Sequence, residues 1–200
     1  MYRRELLARL KIPFECRSPG IDEARRPGES ALELVRRLAR AKAEAVARAH
    51  LDDWVIGSDQ VAVLPGLPED AILGKPGSAE DCIDQLLRCS GRTLSFVTAV
   101  AVARARDSCL HEFIDTTRVA FRTLDRPAVE RYVARESPLD CAGGFKSEGL
   151  GIALCESIDN ADPTALIGLP LIRLSGVLRS ILATRARLPP VADRGTRHGD

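Results

Sequence analysis

Lysine is scarce in this sequence: Lys11, Lys42, Lys75 and Lys146 are the only lysines among 29 basic residues, and the rest are arginine. Where arginine serves as the general surface cation, the few lysines stand out as positions chosen for something arginine does less well. Aromatics are also few, with one Trp, two Tyr and five Phe. That argues against a groove in which successive single-stranded bases stack. Charge of one sign is absent in bulk, since 29 basic residues face 28 acidic ones for a formal net charge of +1. No broad positive field exists to hold a nucleic-acid backbone or an anionic membrane, so any anion site must be local. The six cysteines form no C-x-x-C pair and the three histidines do not cluster near them, which argues against zinc and disulfide frameworks. The longest uncharged apolar run, Ser95 to Ala103, is far short of a membrane span, and no charged segment followed by an apolar one opens the chain. The cytoplasm is the expected compartment, with neither nucleic acid nor membrane as partner.

What is present is the composition of a folding chain: 200 residues, 45% hydrophobic and 28% charged. A single domain is expected over residues 1–187. From Leu188 on, the Pro, Arg and Gly content without apolar periodicity reads as a disordered tail, 188–200. Leu6, Leu7 and Leu10 at helical spacing place a helix at the very start, closed by Pro13 before an extended stretch at Phe14 to Cys16. Ser30 and Glu33 form a capping-box signature ahead of a long amphipathic helix reaching about Ala49. Trp54 to Ile56 and Val61 to Leu64 read as strands interrupted by a polar, turn-like Gly57-Ser58-Asp59-Gln60. Ser78 caps a helix through about Cys89. Thr93 to Ala103 and Cys109 to Arg122 follow as an antiparallel ribbon, and Pro127 opens a helix to about Glu136. A glycine-rich connector, Pro138 to Gly151, precedes a strand at Ile152 to Cys155, and two short helices follow near Pro163 to Leu166 and Ser175 to Arg185.

Several of these segments suit a phosphate. Lys75 lies in Gly74-Lys75-Pro76-Gly77 and Lys146 in Gly143-Gly144-Phe145-Lys146-Ser147-Glu148-Gly149, where bare backbone and a compact ammonium can both approach phosphate oxygens. Taken singly, each is also compatible with an ordinary solvated turn; their coincidence carries the argument. Arg3 and Arg4 occupy the first turn of a helix, where the macrodipole disfavours cations unless an anion is bound. A frayed terminus with two solvated arginines is the plain alternative. Asp59, expected just after a strand, can protrude into a cleft and hold a metal or a water, or else cap its own turn. Asp22-Glu23 offers a second acidic position for Mg²⁺, which usually takes one or two carboxylates together with substrate phosphates. No histidine or cysteine has a recognisable partner as a nucleophile, so attack by water is favoured over a covalent intermediate.

The order of segments Tyr2-Arg3-Arg4-Glu5-Leu6-Leu7, Ile21-Asp22-Glu23, Arg37-Leu38-Ala39 with Lys42-Ala43, Gly57-Ser58-Asp59-Gln60, Gly74-Lys75-Pro76 and Phe145-Lys146-Ser147-Glu148-Gly149 resembles the Maf family, from residue 2 to about residue 185. That resemblance implies an α/β fold of the Maf/ITPase-like kind, with an elongated mixed β-sheet flanked by helices and a nucleotide-binding cleft. It also implies a cytoplasmic nucleoside triphosphate pyrophosphatase that needs a divalent metal, Mg²⁺ or Mn²⁺, and is often a homodimer. The Gly-Ser-Asp-Gln tetrad and the Phe-Lys-Ser-Glu-Gly loop are similar to the branch acting on 7-methyl-GTP. The dTTP/UTP branch has Thr after the aspartate and Gln where Glu148 stands. By the same resemblance Asp59 is the proton acceptor and a metal contact, and Glu23 is a second metal contact. Tyr2, Gln60 and Glu148 set base specificity, while Arg3, Arg4, Lys42, Lys75 and Lys146 bind phosphate. A cationic 7-methylguanine between a carboxylate and an aromatic ring makes physical sense. The family normally opens with a strand and a Ser-x-Ser-Pro loop ahead of the Tyr-Arg-Arg segment, whereas here Met1 stands where that proline would be. A sheet lacking that strand, with reduced stability and activity, or a start further upstream is therefore expected. The alternatives to the 7-methyl-GTP reading are another modified or canonical triphosphate such as dTTP or UTP, and a non-catalytic nucleotide-binding regulator of cell division.

Overall fold

The computed structural model describes residues 2–66 and 71–186, so the expected tail at 188–200 lies outside the described residues. The chain opens with helix α1 (Tyr2–Ala8) and, after an irregular stretch, continues into α2 (Ala31–Ala47). The stretch Phe14 to Cys16 lies in that irregular segment. The Ser30 capping box is formed in full. Its hydroxyl accepts from the Glu33 backbone N–H, and the Glu33 carboxylate accepts from the Ser30 backbone N–H at 2.8 Å. Such a cap contributes about 1 kcal/mol to the helix start.

Strand β1 (Val55–Leu64) runs without a break through the tetrad that the sequence suggests is a turn. Its glycine is required by packing rather than by turning. A Cβ on Gly57 would lie 2.2 Å from the Ala39 carbonyl oxygen and 2.6 Å from the Ala43 nitrogen, so α2 seats directly on the strand at this point. The short β2 (Ala71–Leu73), which the sequence does not suggest, follows, then α3 (Ala79–Cys89), capped by Ser78. The ribbon β3 (Thr93–Arg104) and β4 (Cys109–Phe121) is antiparallel as expected. It leads to α4 (Arg126–Glu136), with Asp125 as N-cap and a proline in the first turn.

Two elements differ from the expectation beyond this point. Ile152 belongs to a 3₁₀ turn, Leu150–Leu154, and the strand β5 (Cys155–Asp159) begins where Ile152 to Cys155 was expected to end. Residues 163–168 form turns rather than a helix, and the final helix α5 (Leu171–Ala186) starts four residues earlier than Ser175. Asp162 accounts for the turns and for the start of α5. Its buried carboxylate accepts from the Thr164 N–H and hydroxyl and, through its other oxygen, from the Ile172 N–H at 2.6 Å. The loop is thereby closed on itself and α5 is launched at Leu171.

The five strands form one sheet in the order β2-β1-β3-β4-β5. The fold is α/β, as the resemblance implies. Every described pairing is antiparallel, however, where a mixed sheet was expected. β2 pairs only with Ala62 to Leu64 of β1, so from Val55 to Val61 that edge of β1 has no ladder partner among the described residues.

Side chains alternate across a strand, so the sheet divides its residues between two faces. Val61, Val63, Ala99, Ala101 and Ala103 pack against Leu34, Val35, Leu38 and Ala39 of α2. The opposite face carries two cores. Ala62, Leu64, Phe96, Val119 and Phe121 pack with α3 and α4. Val100, Val102 and Phe113 pack with Leu6 of α1 and with Leu174 and Ile181 of α5. Between these cores lies a polar waist made by Ser58, Gln60 and Thr98, covered by the backbone of the 162–168 loop. The carbonyls of Ala165, Leu166 and Gly168 accept their side-chain hydrogen bonds.

Candidate active site

Asp59 sits in the middle of β1, on the α2 face, two residues after the glycine that lets α2 come close. Lys42 is one helical turn from Ala39 on the same side of α2, and its ammonium donates to Asp59 Oδ1 at 2.7 Å. The same ammonium donates to Glu23 Oε2, also at 2.7 Å, so two carboxylates converge on one cation. Asp59 is 7% exposed. Burial pushes its carboxyl above the usual range; Lys42 and then Arg3 work against that shift, and Glu23 adds to it. Arg3 donates through Nε to the Gly168 carbonyl at 2.9 Å. The protein crowded about its guanidinium disfavours the charge, while Asp59 and Glu23 favour it. Asp59, Glu23, Lys42 and Arg3 therefore form one electrostatic group at the flank of β1.

Glu23 reaches this group from an irregular loop, and the loop has its own clamp, which sequence reasoning missed. Arg37 on α2 forms a bidentate pair with Glu29, with Nε to Oε1 at 2.6 Å and Nη2 to Oε2 at 2.8 Å, and also donates to the Ala24 carbonyl at 2.9 Å. Glu29 is buried and accepts from the Arg26 N–H, while its own carbonyl accepts from Arg25. The signal in the sequence was an arginine one helical turn or so before Lys42 and a glutamate beside the Ser30 cap. Neither is distinctive in a chain this rich in both residues.

A second group gathers at the C-terminal end of α4. The Lys146 ammonium lies 5.7 Å from the centre of the Tyr2 ring and donates to Glu136 Oε1 at 2.7 Å. Burial and then the neighbouring Cys141 and Asp140 raise the Tyr2 hydroxyl above its usual range, with Lys146 opposing them. Burial and Asp140 hold the Cys141 thiol up at about 11, so it is a neutral wall of this group rather than a thiolate. Glu148 is exposed, and its charge is felt by both Lys146 and Cys141. Tyr2 and Arg3 are consecutive in α1, so this helix joins the two groups. Tyr2 turns to Lys146 and Arg3 to Asp59.

The remaining expected residues fall differently. Lys75 and Arg4 are exposed and have no hydrogen-bond or ion-pair partner among the described residues. Lys146, expected like them to bind phosphate, is paired with Glu136 at 2.7 Å. Gln60 points to the face opposite Asp59. Its amide nitrogen is spent on Thr98 Oγ1 at 2.8 Å and on the carbonyls of Ala165 and Leu166 at 3.0 and 3.1 Å. It pins the 162–168 loop, and no hydrogen bond joins it to Tyr2 or Glu148 among the described residues.

No group of three or more His, Cys, Asp or Glu residues able to hold a metal occurs among the described residues. The pair Glu23 and Asp59 nonetheless fits a hard divalent cation, because both carboxylates already converge on a single positive atom and Mg²⁺ commonly completes its sphere with phosphate and water. No helix among the described residues is long and apolar enough to cross a membrane.

A family model described as Maf-like protein matches residues 1–181. The 7-methyl-GTP pyrophosphatase of Pseudomonas syringae pv. syringae is 52% identical over 178 residues, covering 88% of this chain and 90% of that protein. The protein of the same name from Pseudomonas putida is 54% identical over 178 residues with the same coverage. That from Pseudomonas aeruginosa is 51% identical over 177 residues, again covering 88% and 90%. The motifs that carry the resemblance thus lie within a similarity that runs through every element from α1 into α5, and this chain belongs to the Maf family.

Proposed function

We propose that the chain hydrolyses 7-methyl-GTP to 7-methyl-GMP and diphosphate, by attack of water on the α-phosphate with a divalent metal as cofactor. The observation that carries this reading is the joining of two unlike groups by α1. One is a buried carboxylate held by cations, suited to anhydride chemistry; the other is an aromatic ring next to a loop that carries the exposed Glu148 carboxylate, suited to a cationic base. The names of the relatives at 52% and 54% identity support the same substrate.

In this reading Asp59 accepts the proton of the attacking water. Its burial keeps its proton affinity above that of a free carboxylate, and Lys42 orients it through Oδ1. Glu23 and Asp59 would hold the metal, which when bound supplies charge neutralisation at phosphate oxygens. Lys75 and Arg4, which have no partner among the described residues, and Arg3, fixed on Gly168, oppose the charge that builds on the departing diphosphate. Tyr2 stacks on the cationic base and Glu148 complements its charge, while Gln60 acts on specificity through the loop it pins rather than by touching the base. Six free cysteines and no disulfide among the described residues support a reducing, cytoplasmic setting. A homodimer belongs to the same reading, and sedimentation at assay concentrations tests it.

Asp59→Asn tests the mechanism. Turnover is expected to fall by about 10²-fold or more, the usual worth of a general base, with nucleotide affinity retained. Turnover near the native rate in a folded Asp59→Asn protein would contradict the assignment.

A further inference from the structure

Glu136 belongs to none of the motifs discussed so far, yet both of its carboxylate oxygens are committed to the loop that carries Glu148. Oε1 accepts from Lys146 Nζ and Oε2 from the Leu150 backbone N–H, each at 2.7 Å. These are the two ends of a five-residue segment, and Ser147, Glu148 and Gly149 lie between them. The carboxylate side chain is only 15% exposed, so little water competes for these bonds. Gly149 makes the arrangement possible: a Cβ there would lie 2.6 Å from Cδ, Oε1 and Oε2 of Glu136. One turn earlier on α4, the buried Tyr132 hydroxyl accepts from the Lys146 backbone N–H at 3.0 Å. The end of α4 thus holds the loop at three points, and the Lys146 ammonium held there lies 5.7 Å from the centre of the Tyr2 ring.

We infer that Glu136 is a positioning residue for base recognition: by gripping Lys146 and Leu150 it fixes the loop that carries Glu148 and holds the neutralised Lys146 by Tyr2, and so sets the preference for a cationic base over a neutral one. This rests on the proposed 7-methyl-GTP reading. The pairing also matters electrostatically. An unpaired Lys146 ammonium at the Tyr2 ring would repel a positively charged base, whereas the Glu136 carboxylate at 2.7 Å offsets that charge.

The test compares kcat and KM for 7-methyl-GTP and GTP in the native chain, Glu136→Gln, Glu136→Asp and Gly149→Ala. Glu136→Gln keeps an acceptor for Leu150 but loses the charge that neutralises Lys146. It is expected to raise KM for 7-methyl-GTP roughly 10-fold with a much smaller change for GTP, collapsing the preference. Glu136→Asp, which restores the charge on a shorter arm, should recover part of it. Gly149→Ala pushes the carboxylate off both partners from the other side and should reproduce the loss independently. A preference unchanged in Glu136→Gln, or an equal loss on both nucleotides, would overturn the positioning role alone. A native chain without preference for 7-methyl-GTP would overturn the substrate reading and this inference with it.

Discussion

At the scale of single residues, the division between committed and uncommitted cations decides what each can do. Lys42 and Lys146 are each paired at 2.7 Å with carboxylates, whereas Lys75 has no partner among the described residues. An ammonium already neutralised contributes mainly orientation; a free one contributes charge. Lys75→Ala is therefore expected to lower kcat/KM by about tenfold on every triphosphate tested, leaving the ranking of bases intact. Tyr2→Ala should do the reverse, altering the ranking while affecting neutral-base substrates little. A nucleotide panel with both variants checks the contrast, and a base-dependent loss in Lys75→Ala would count against this assignment. The scarcity of lysine pointed to these positions in the sequence. What it could not distinguish was which lysines have carboxylate partners, because Glu136 is ten residues from Lys146 and Glu23 nineteen from Lys42, neither at a spacing that signals a pair.

At the scale of elements, the site depends on how α2 sits on β1 and on the loop before α2. The sequence suggests a turn at Gly57 to Gln60 because glycine, serine and aspartate commonly make turns. In the fold the same residues are strand, since tertiary packing overrides local preference where a helix must approach within contact of the backbone. Gly57→Ala is expected to cost about 1–3 kcal/mol, because the added methyl meets helix backbone that cannot step aside. Chemical denaturation measures it, and a variant as stable as the native chain would show that α2 shifts freely. In the loop, the Arg37 fork holds the Glu29 carboxyl down at about 2, from an ordinary value of 4.5. A carboxylate whose value is depressed on folding stabilises the folded state fully above 4.5, and the contribution is lost as pH falls toward about 2. Glu29→Gln should accordingly lower Tm at neutral pH, with the difference from the native chain shrinking through that window. Thermal unfolding at a series of pH values checks this, and a difference independent of pH would refute the ion-pair account. Caps and the long ribbon were legible because their signals are local. β5 starts where it does because it pairs with β4, far back along the chain, which no local signal announces; β2, only three residues long, and the Asp162 loop are held by nearby partners whose side-chain and hairpin bonds leave no periodic pattern to read.

At the scale of the whole molecule, a single antiparallel sheet serves different ends on its two faces. One is covered by α2 and brings Lys42 to Asp59. The other has two apolar cores separated by the polar waist of Ser58, Gln60 and Thr98, where the 162–168 loop is anchored. In α1, Leu6 lies in one core, Arg3 donates to Gly168 and Tyr2 sits by Lys146, so one short helix contributes a residue to each of the two groups proposed to act on phosphate and on base. The central claim is that this pairing acts on a cationic nucleotide. Diphosphate release from 7-methyl-GTP, GTP, dTTP and UTP, each with Mg²⁺ or Mn²⁺, tests it most directly. The account predicts release with kcat/KM highest for 7-methyl-GTP, dependent on the metal. Equal rates on 7-methyl-GTP and GTP, or no release from a chain that still binds nucleotide, would contradict it.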